Sequence, residues 1–135
     1  GNLVEVDGPY GEFCLNSPDN SDQHYLFLAT GTGIAPFHSF VETFPNLNYT
    51  VLHGIRDPHE QYHENDYAQG RYIPCISRNI EGHPSFRLTE YLIKHPVNPS
   101  SIVYLCGNRH MIVDAFETLR EQGVPGDNLF TEVFF

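Results

Sequence analysis

Leu26-Phe27-Leu28-Ala29-Thr30-Gly31-Thr32-Gly33-Ile34-Ala35-Pro36-Phe37 is the stretch that decides how this chain folds. An apolar run that stops at a turn signal predicts a buried strand. Two glycines follow, then Ala35-Pro36, with proline where a first helical turn tolerates it. Phe37, Phe40, Val41 and Phe44 recur at i, i+3, i+4 and i+7, the apolar stripe of an amphipathic helix. Strand, glycine turn and helix N-terminus in succession make an anion site. Amides point outward, the helix dipole favours negative charge, and glycine lets a phosphate reach the main chain. The plain alternative is a tight turn that binds nothing, since glycine turns are common in α/β units.

Outward from this stretch, strands alternate with helices. Leu3-Val4-Glu5-Val6 reads as a strand closed by Asp7-Gly8-Pro9-Tyr10-Gly11, and residues 16–23 are polar and turn-forming, the best linker in the chain. Tyr49 to Gly54 is a strand, residues 56–70 read as a polar, acidic loop with room for a short helix, and Arg71 to Ser77 is a strand in which Pro74 argues for a sheet edge. Phe86 to Ile93 reads as a helix and Ser101 to Gly107 as a strand. Met111, Ala115, Phe116 and Leu119 follow helical spacing up to a stop at Gly123, and Asn128 to Phe135 closes the chain as a strand. Such alternation argues for a parallel sheet with its ligand at the carboxyl ends of the strands, three of which close on Gly31, Gly54 and Gly107.

Composition narrows the function. A chain of 135 residues with net charge −10 has the size of a single domain and lacks the clustered Lys and Arg of a nucleic-acid surface. Only seven residues are basic, so each is worth tracing. No apolar run reaches a membrane-spanning length, and Cys14, Cys75 and Cys106, far apart and without a CxxC, fit reduced thiols in the cytoplasm.

Four stretches, in order and correctly spaced, resemble the nucleotide-binding half of the ferredoxin–NADP reductase family. Gly8-Pro9-Tyr10-Gly11-Glu12-Phe13 is similar to the segment that ends the family's flavin-binding barrel, and Ala29 to Phe37 to its pyrophosphate loop. Val103-Tyr104-Leu105-Cys106-Gly107-Asn108 with Met111-Ile112 resembles its nicotinamide-side loop, and Glu132-Val133-Phe134-Phe135 its acidic and aromatic C-terminus. The resemblance implies an α/β, three-layer Rossmann-like domain with a parallel sheet of about five strands in the order 3-2-1-4-5. It also implies a boundary: residues 1–20 as the end of a flavin barrel plus linker, and residues 21–135 as the NAD(P)-binding domain.

Site residues follow from the same resemblance. Thr30, Gly31, Thr32, Gly33, Ile34, Ala35 and Pro36 form the pyrophosphate turn, whose amides, Pro36 apart, hold the phosphates. Gly107, Asn108 and Met111 lie on the nicotinamide side, Gly107 allowing the ring near the backbone. Cys106 packs the ring, Glu132 is an acidic partner near the flavin or the transferred hydrogen, and Phe134, or Phe135 in its place, covers the flavin. Outside the family these would read as a buried cysteine and ordinary aromatic core.

The scarce cations bear on the choice of cofactor. NADP carries a 2′-phosphate that suits a guanidinium and a hydroxyl. Ser77-Arg78 resembles the family's pair for it, and Arg56 is placed to contribute. Asp57 is the competing signal, since an acid there can bind the ribose of NAD. The alternative for Arg56 is a solvated pair with Asp57 or Glu60. The balance favours NADP over NAD.

The expected function is binding NADPH and presenting its nicotinamide to FAD, carried by a flavin-binding domain of the same polypeptide. Electrons would then pass to a carrier such as ferredoxin or flavodoxin. The family's Arg-x-Tyr-Ser flavin motif has no counterpart here, so the chain is expected to be one domain of a longer reductase. A non-catalytic dinucleotide-binding module and an NADH-using oxygenase-reductase domain are the rivals. His59-Glu60-Gln61-Tyr62-His63 matches the zinc-hydrolase pattern HExxH, but its flanks are polar on both sides. Histidines 24, 38, 53, 83, 95 and 110 show no ligand spacing, and no metal ligand is assigned.

Overall fold

The structure, a computed structural model, describes Leu15 and residues 22–78, 81–82 and 84–133. The expected strand over Leu3–Val6, the stretch Gly8–Phe13, Cys14, most of the linker, His83, Phe134 and Phe135 lie outside the described residues.

Five strands form one parallel sheet in the order β3-β2-β1-β4-β5, the expected 3-2-1-4-5. They are β1 (Tyr25–Thr30), β2 (Tyr49–Ile55), β3 (Tyr72–Ile76), β4 (Ile102–Gly107) and β5 (Leu129–Val133). The helices are α1 (Ala35–Thr43), α2 (Leu88–Lys94) and α3 (Arg109–Glu121). Among the described residues no helix is long and apolar enough to cross a membrane.

Period-two alternation along the strands builds two cores. On one face Phe27, Ala29, Val51, Tyr104 and Cys106 meet Phe37, Phe40 and Val41 of α1. The Phe27 and Phe37 rings stack with centroids 4.8 Å apart, so the helical stripe lands directly on the central strand. On the other face Leu26, Leu28, Leu52, Val103 and Leu105 meet Leu88 and Leu92 of α2 and Met111, Ile112, Ala115 and Leu119 of α3. Each buried Leu, Ile, Val, Phe or Met side chain among them contributes roughly 1.5–3 kcal/mol of transfer free energy.

β3 is an edge strand, as Pro74 required: a residue without an N–H costs nothing on the side that has no neighbour. One boundary differs from expectation. β2 runs through Gly54 to Ile55, because Gly54 keeps its ladder position opposite Cys75. The segment at 56–70 holds two short 3₁₀ turns, Pro58–Glu60 and Glu64–Asp66. The first is closed by Asp57 accepting from the His59 amide and by Glu60 accepting from those of Arg56 and Asp57.

Candidate functional site

At the carboxyl end of β1 the two-glycine turn is wound into a 3₁₀ helix, Gly31–Ile34, which runs straight into α1. This winding narrows the expected pyrophosphate cradle. The Ala35 amide donates to Thr32 O, and the i→i+3 bonds of such a turn leave only its first N–H groups without internal acceptors. Thr32 is exposed there, whereas Gly33 and Ile34 are buried against the sheet. Pro36 sits in the first turn of α1, as expected.

Gly33 is glycine because of β4. A Cβ at that position would stand 2.5 Å from the Cys106 carbonyl oxygen. Gly107 has φ 134°, and a Cβ on it would collide with Thr30 Oγ1. Its close approach among the described residues is thus to Thr30, where the sequence suggested a nicotinamide ring. The Asn108 amide donates to that same Thr30 Oγ1 at 2.8 Å, tying the ends of β1 and β4 together. The Asn108 side chain caps α3, accepting from the amides of His110 and Met111. In this strand order the winding of the sheet switches from one side of β1 to the other between β3 and β4, leaving a crevice between β1 and β4, which is where open α/β sheets take their ligands.

A cleft of about 540 Å³ opens along the carboxyl ends of β1 to β4, on the face covered by α2 and α3. Of the expected residues, Thr30, Gly31, Arg56, Ser77, Asn108 and Met111 line it. Its size falls within the usual range for cofactor sites. Arg87, at the start of α2, lines the same cleft and was not anticipated; it sits outside every recognisable motif, and only the packing of α2 brings it into the cleft that Arg56 also lines.

Tracing the basic residues separates binding groups from structural ones. Arg71 donates to Asn48 Oδ1 and Tyr49 O and lies over the Tyr49 ring. Arg120 donates to Val124 O at the end of α3. Arg78 does not line the cleft; its guanidinium pairs with Asp57 at 3.3 Å. Asp57 is thus engaged twice, by Arg78 and by the His59 amide. Among the described residues neither Arg56 nor Arg87 forms an ion pair.

Cys106 and Glu132 occupy facing register positions on β4 and β5, on the α1 side of the sheet, away from the cleft's lining. Cys106 is fully buried, and burial together with the Glu132 charge pushes its thiol up to about 12. It is therefore a neutral thiol at physiological pH. Burial also raises the Glu132 carboxyl above its ordinary value.

The HExxH stretch does not form a helix. His59 lies in a 3₁₀ turn, His63 has φ 56°, and Glu60 is committed to two backbone amides, so the two histidines share no helical face.

A family model described as oxidoreductase NAD-binding domain matches residues 27–117. One component of the Na(+)-translocating NADH-quinone reductase of Serratia proteamaculans is 27% identical over 99% of this chain, and its counterpart in Psychrobacter cryohalolentis is also 27% identical. The chain spans 37% of the length of these relatives. Among solved structures, a cytochrome P450 reductase of Amycolatopsis shares the fold with TM-score 0.76 at 22% identity, over 94% of this chain and 42% of that one. The ferredoxin-NADP+ reductase of Plasmodium falciparum does so with TM-score 0.73 at 20% identity, over 92% of this chain and 58% of that one. A parallel 3-2-1-4-5 sheet, a glycine turn locked to β4 and a cleft at the strand ends thus carry the signature of a known group: the chain belongs to the oxidoreductase NAD-binding domain family.

Proposed function

We propose that this chain binds NADPH along the carboxyl ends of β1 to β4 and holds its nicotinamide for hydride transfer to a flavin carried by another domain of the same reductase. The observation that carries the reading is the cleft itself, which joins the Thr30–Gly31 turn, the capped start of α3 and the cations Arg56 and Arg87. When bound, the dinucleotide supplies a hydride that reduces the flavin, and the flavin passes electrons on to a carrier such as ferredoxin or flavodoxin.

The chain's own groups have distinct tasks. Thr32, at the open start of the 3₁₀ turn, offers its amide to a phosphate oxygen. Arg56, beside Ser77, meets the 2′-phosphate with paired N–H donors, and Arg87 adds charge in the same cleft. Cys106, buried on the α1 side of the sheet, is assigned a neutral, soft group behind the carboxyl end of β4, where the ring passes beyond the cleft. Glu132, in register with it, holds a carboxyl near the reacting edge. Phe134 is assigned the cover over the flavin.

One observation favours NADH instead: the relatives named above are components of NADH-quinone reductases. Against it, Asp57, the acid that would bind the NAD ribose, is engaged by Arg78 and a backbone amide. The test uses the intact reductase and follows flavin reduction by stopped-flow absorbance. Cys106→Ala is expected to slow hydride transfer about tenfold, roughly 1.4 kcal/mol of barrier, with little change in dinucleotide affinity. Equal hydride-transfer rates in the two forms would leave a binding module without a catalytic role for Cys106.

A further inference from the structure

The fold brings His38 to two potential metal ligands, His63 and Asp66, from a distant part of the sequence. His38 lies on α1, and His63 and Asp66 lie in the segment before β3. The ligand atoms of these three residues all fall within 4.8 Å of one another. The His38 and His63 rings stack with centroids 4.4 Å apart and planes 21° apart. Asp66 Oδ2 lies 2.8 Å from His38 Nε2 and 3.6 Å from His63 Nδ1, and Glu42 Oε1 is 3.7 Å from His38 Nε2.

We propose that His38, His63 and Asp66, with Glu42 as a fourth donor, form a site for a divalent first-row transition ion of the zinc type that clamps α1 to the segment leading into β3. Two imidazoles and carboxylates suit such an ion, whereas calcium and magnesium take all-oxygen sets. Around a tetrahedral ion with bonds near 2.05 Å, neighbouring donors stand about 3.3 Å apart. The observed 2.8, 3.6 and 3.7 Å separations straddle that value, and the two imidazoles turn out of their stack to face one ion.

Hydrogen bonding alone does not use this arrangement fully. His38 Nε2–H donates to Asp66, but His63 Nδ1 at 3.6 Å is beyond a hydrogen bond. The cluster brings two carboxylates together in a chain of net charge −10, and a dication would offset them. His63 is also the one described non-glycine residue with positive φ, an uncommon backbone state for a residue with a Cβ.

A separate observation comes from Tyr67. Its side chain is buried with 6% exposure, yet its hydroxyl has no hydrogen-bond partner among the described residues. The Tyr67 ring meets that of His38 edge-on at 5.9 Å, so a buried residue with an unsatisfied hydroxyl packs against one of the ligands. The site is open to solvent, with side-chain exposures of 64% at His63 and 43% at Asp66.

This site is separate from the dinucleotide cleft, so its test needs no nucleotide. Zn²⁺ is titrated into the 135-residue chain by calorimetry, and Co²⁺ is followed by its visible absorption. One ion per chain is expected. His63→Gly, which keeps the positive-φ backbone, and the exposed Asp66→Asn are each expected to weaken binding about tenfold or more. His59→Ala, which alters the other half of the HExxH stretch, is expected to leave binding unchanged. Absence of saturable binding, or binding that survives both His63→Gly and Asp66→Asn, overturns the proposal.

Discussion

His53 Nε2 lies 2.8 Å from the carbonyl oxygen of Gly31, so a fully buried histidine of β2 holds the first residue of the glycine turn. A carbonyl can only accept, which puts the proton on Nε2, and Nδ1 then accepts from the Tyr72 hydroxyl at 2.7 Å. The turn is therefore fixed from below by a neutral imidazole whose tautomer is set by its two partners.

That neutrality makes stability depend on pH. Burial lowers the His53 pKa, and burial and Arg71 lower that of His24. Below about pH 6.5 the unfolded chain takes up protons that the folded chain refuses, so stability falls as pH falls. The contribution is whole above that value and is lost at up to about 1.4 kcal/mol per pH unit per histidine. Urea midpoints measured between about pH 7.5 and about pH 5.5 check this, and His53→Gln is expected to flatten the slope.

Thr30→Val tests the tie between β1 and β4. It removes the acceptor of the Asn108 amide while keeping the shape of the side chain. An unpaired amide at the start of α3 is expected to cost about 1–3 kcal/mol, and Thr30→Ser to cost clearly less. Denaturant unfolding of the two variants decides it.

Gly33→Ala drives a methyl to 2.5 Å from a backbone oxygen of β4, where no flexible side chain can yield. The expected loss is about 2 kcal/mol or more, with weakened dinucleotide binding because the turn must shift. Thermal unfolding and a dinucleotide titration read the two effects separately.

Cys75 and Cys106 are both buried, and burial pushes each thiol up to about 12. Neither should alkylate at neutral pH in the folded protein, and both should do so in denaturant. Site-resolved mass spectrometry after iodoacetamide treatment checks this.

The fold was legible because its signals are local. The apolar run at Leu26, the stripe at Phe37, Phe40 and Val41, and Pro74 at the edge each act through neighbours in sequence. Much of the site was not, because it depends on side-chain direction and on contacts across the chain. Ser77-Arg78 resembles a phosphate pair, and the pairing of Arg78 with Asp57 and the presence of Arg87 in the cleft are visible only in three dimensions. Both glycine positions next to β4 were visible, yet their reason, contact with Cys106 and Thr30, requires the sheet to be assembled. His38 gave no ligand spacing since its partners lie in another segment, and a left-handed backbone at His63 has no sequence mark.

The most direct test of the cleft as a dinucleotide site is NADPH and NADH affinity for this chain, with and without Arg56→Ala, by calorimetry. NADPH is expected to bind one per chain and to weaken about tenfold on the substitution, with NADH affinity changed far less. NADPH binding that is equally tight in both forms contradicts a 2′-phosphate contact at Arg56.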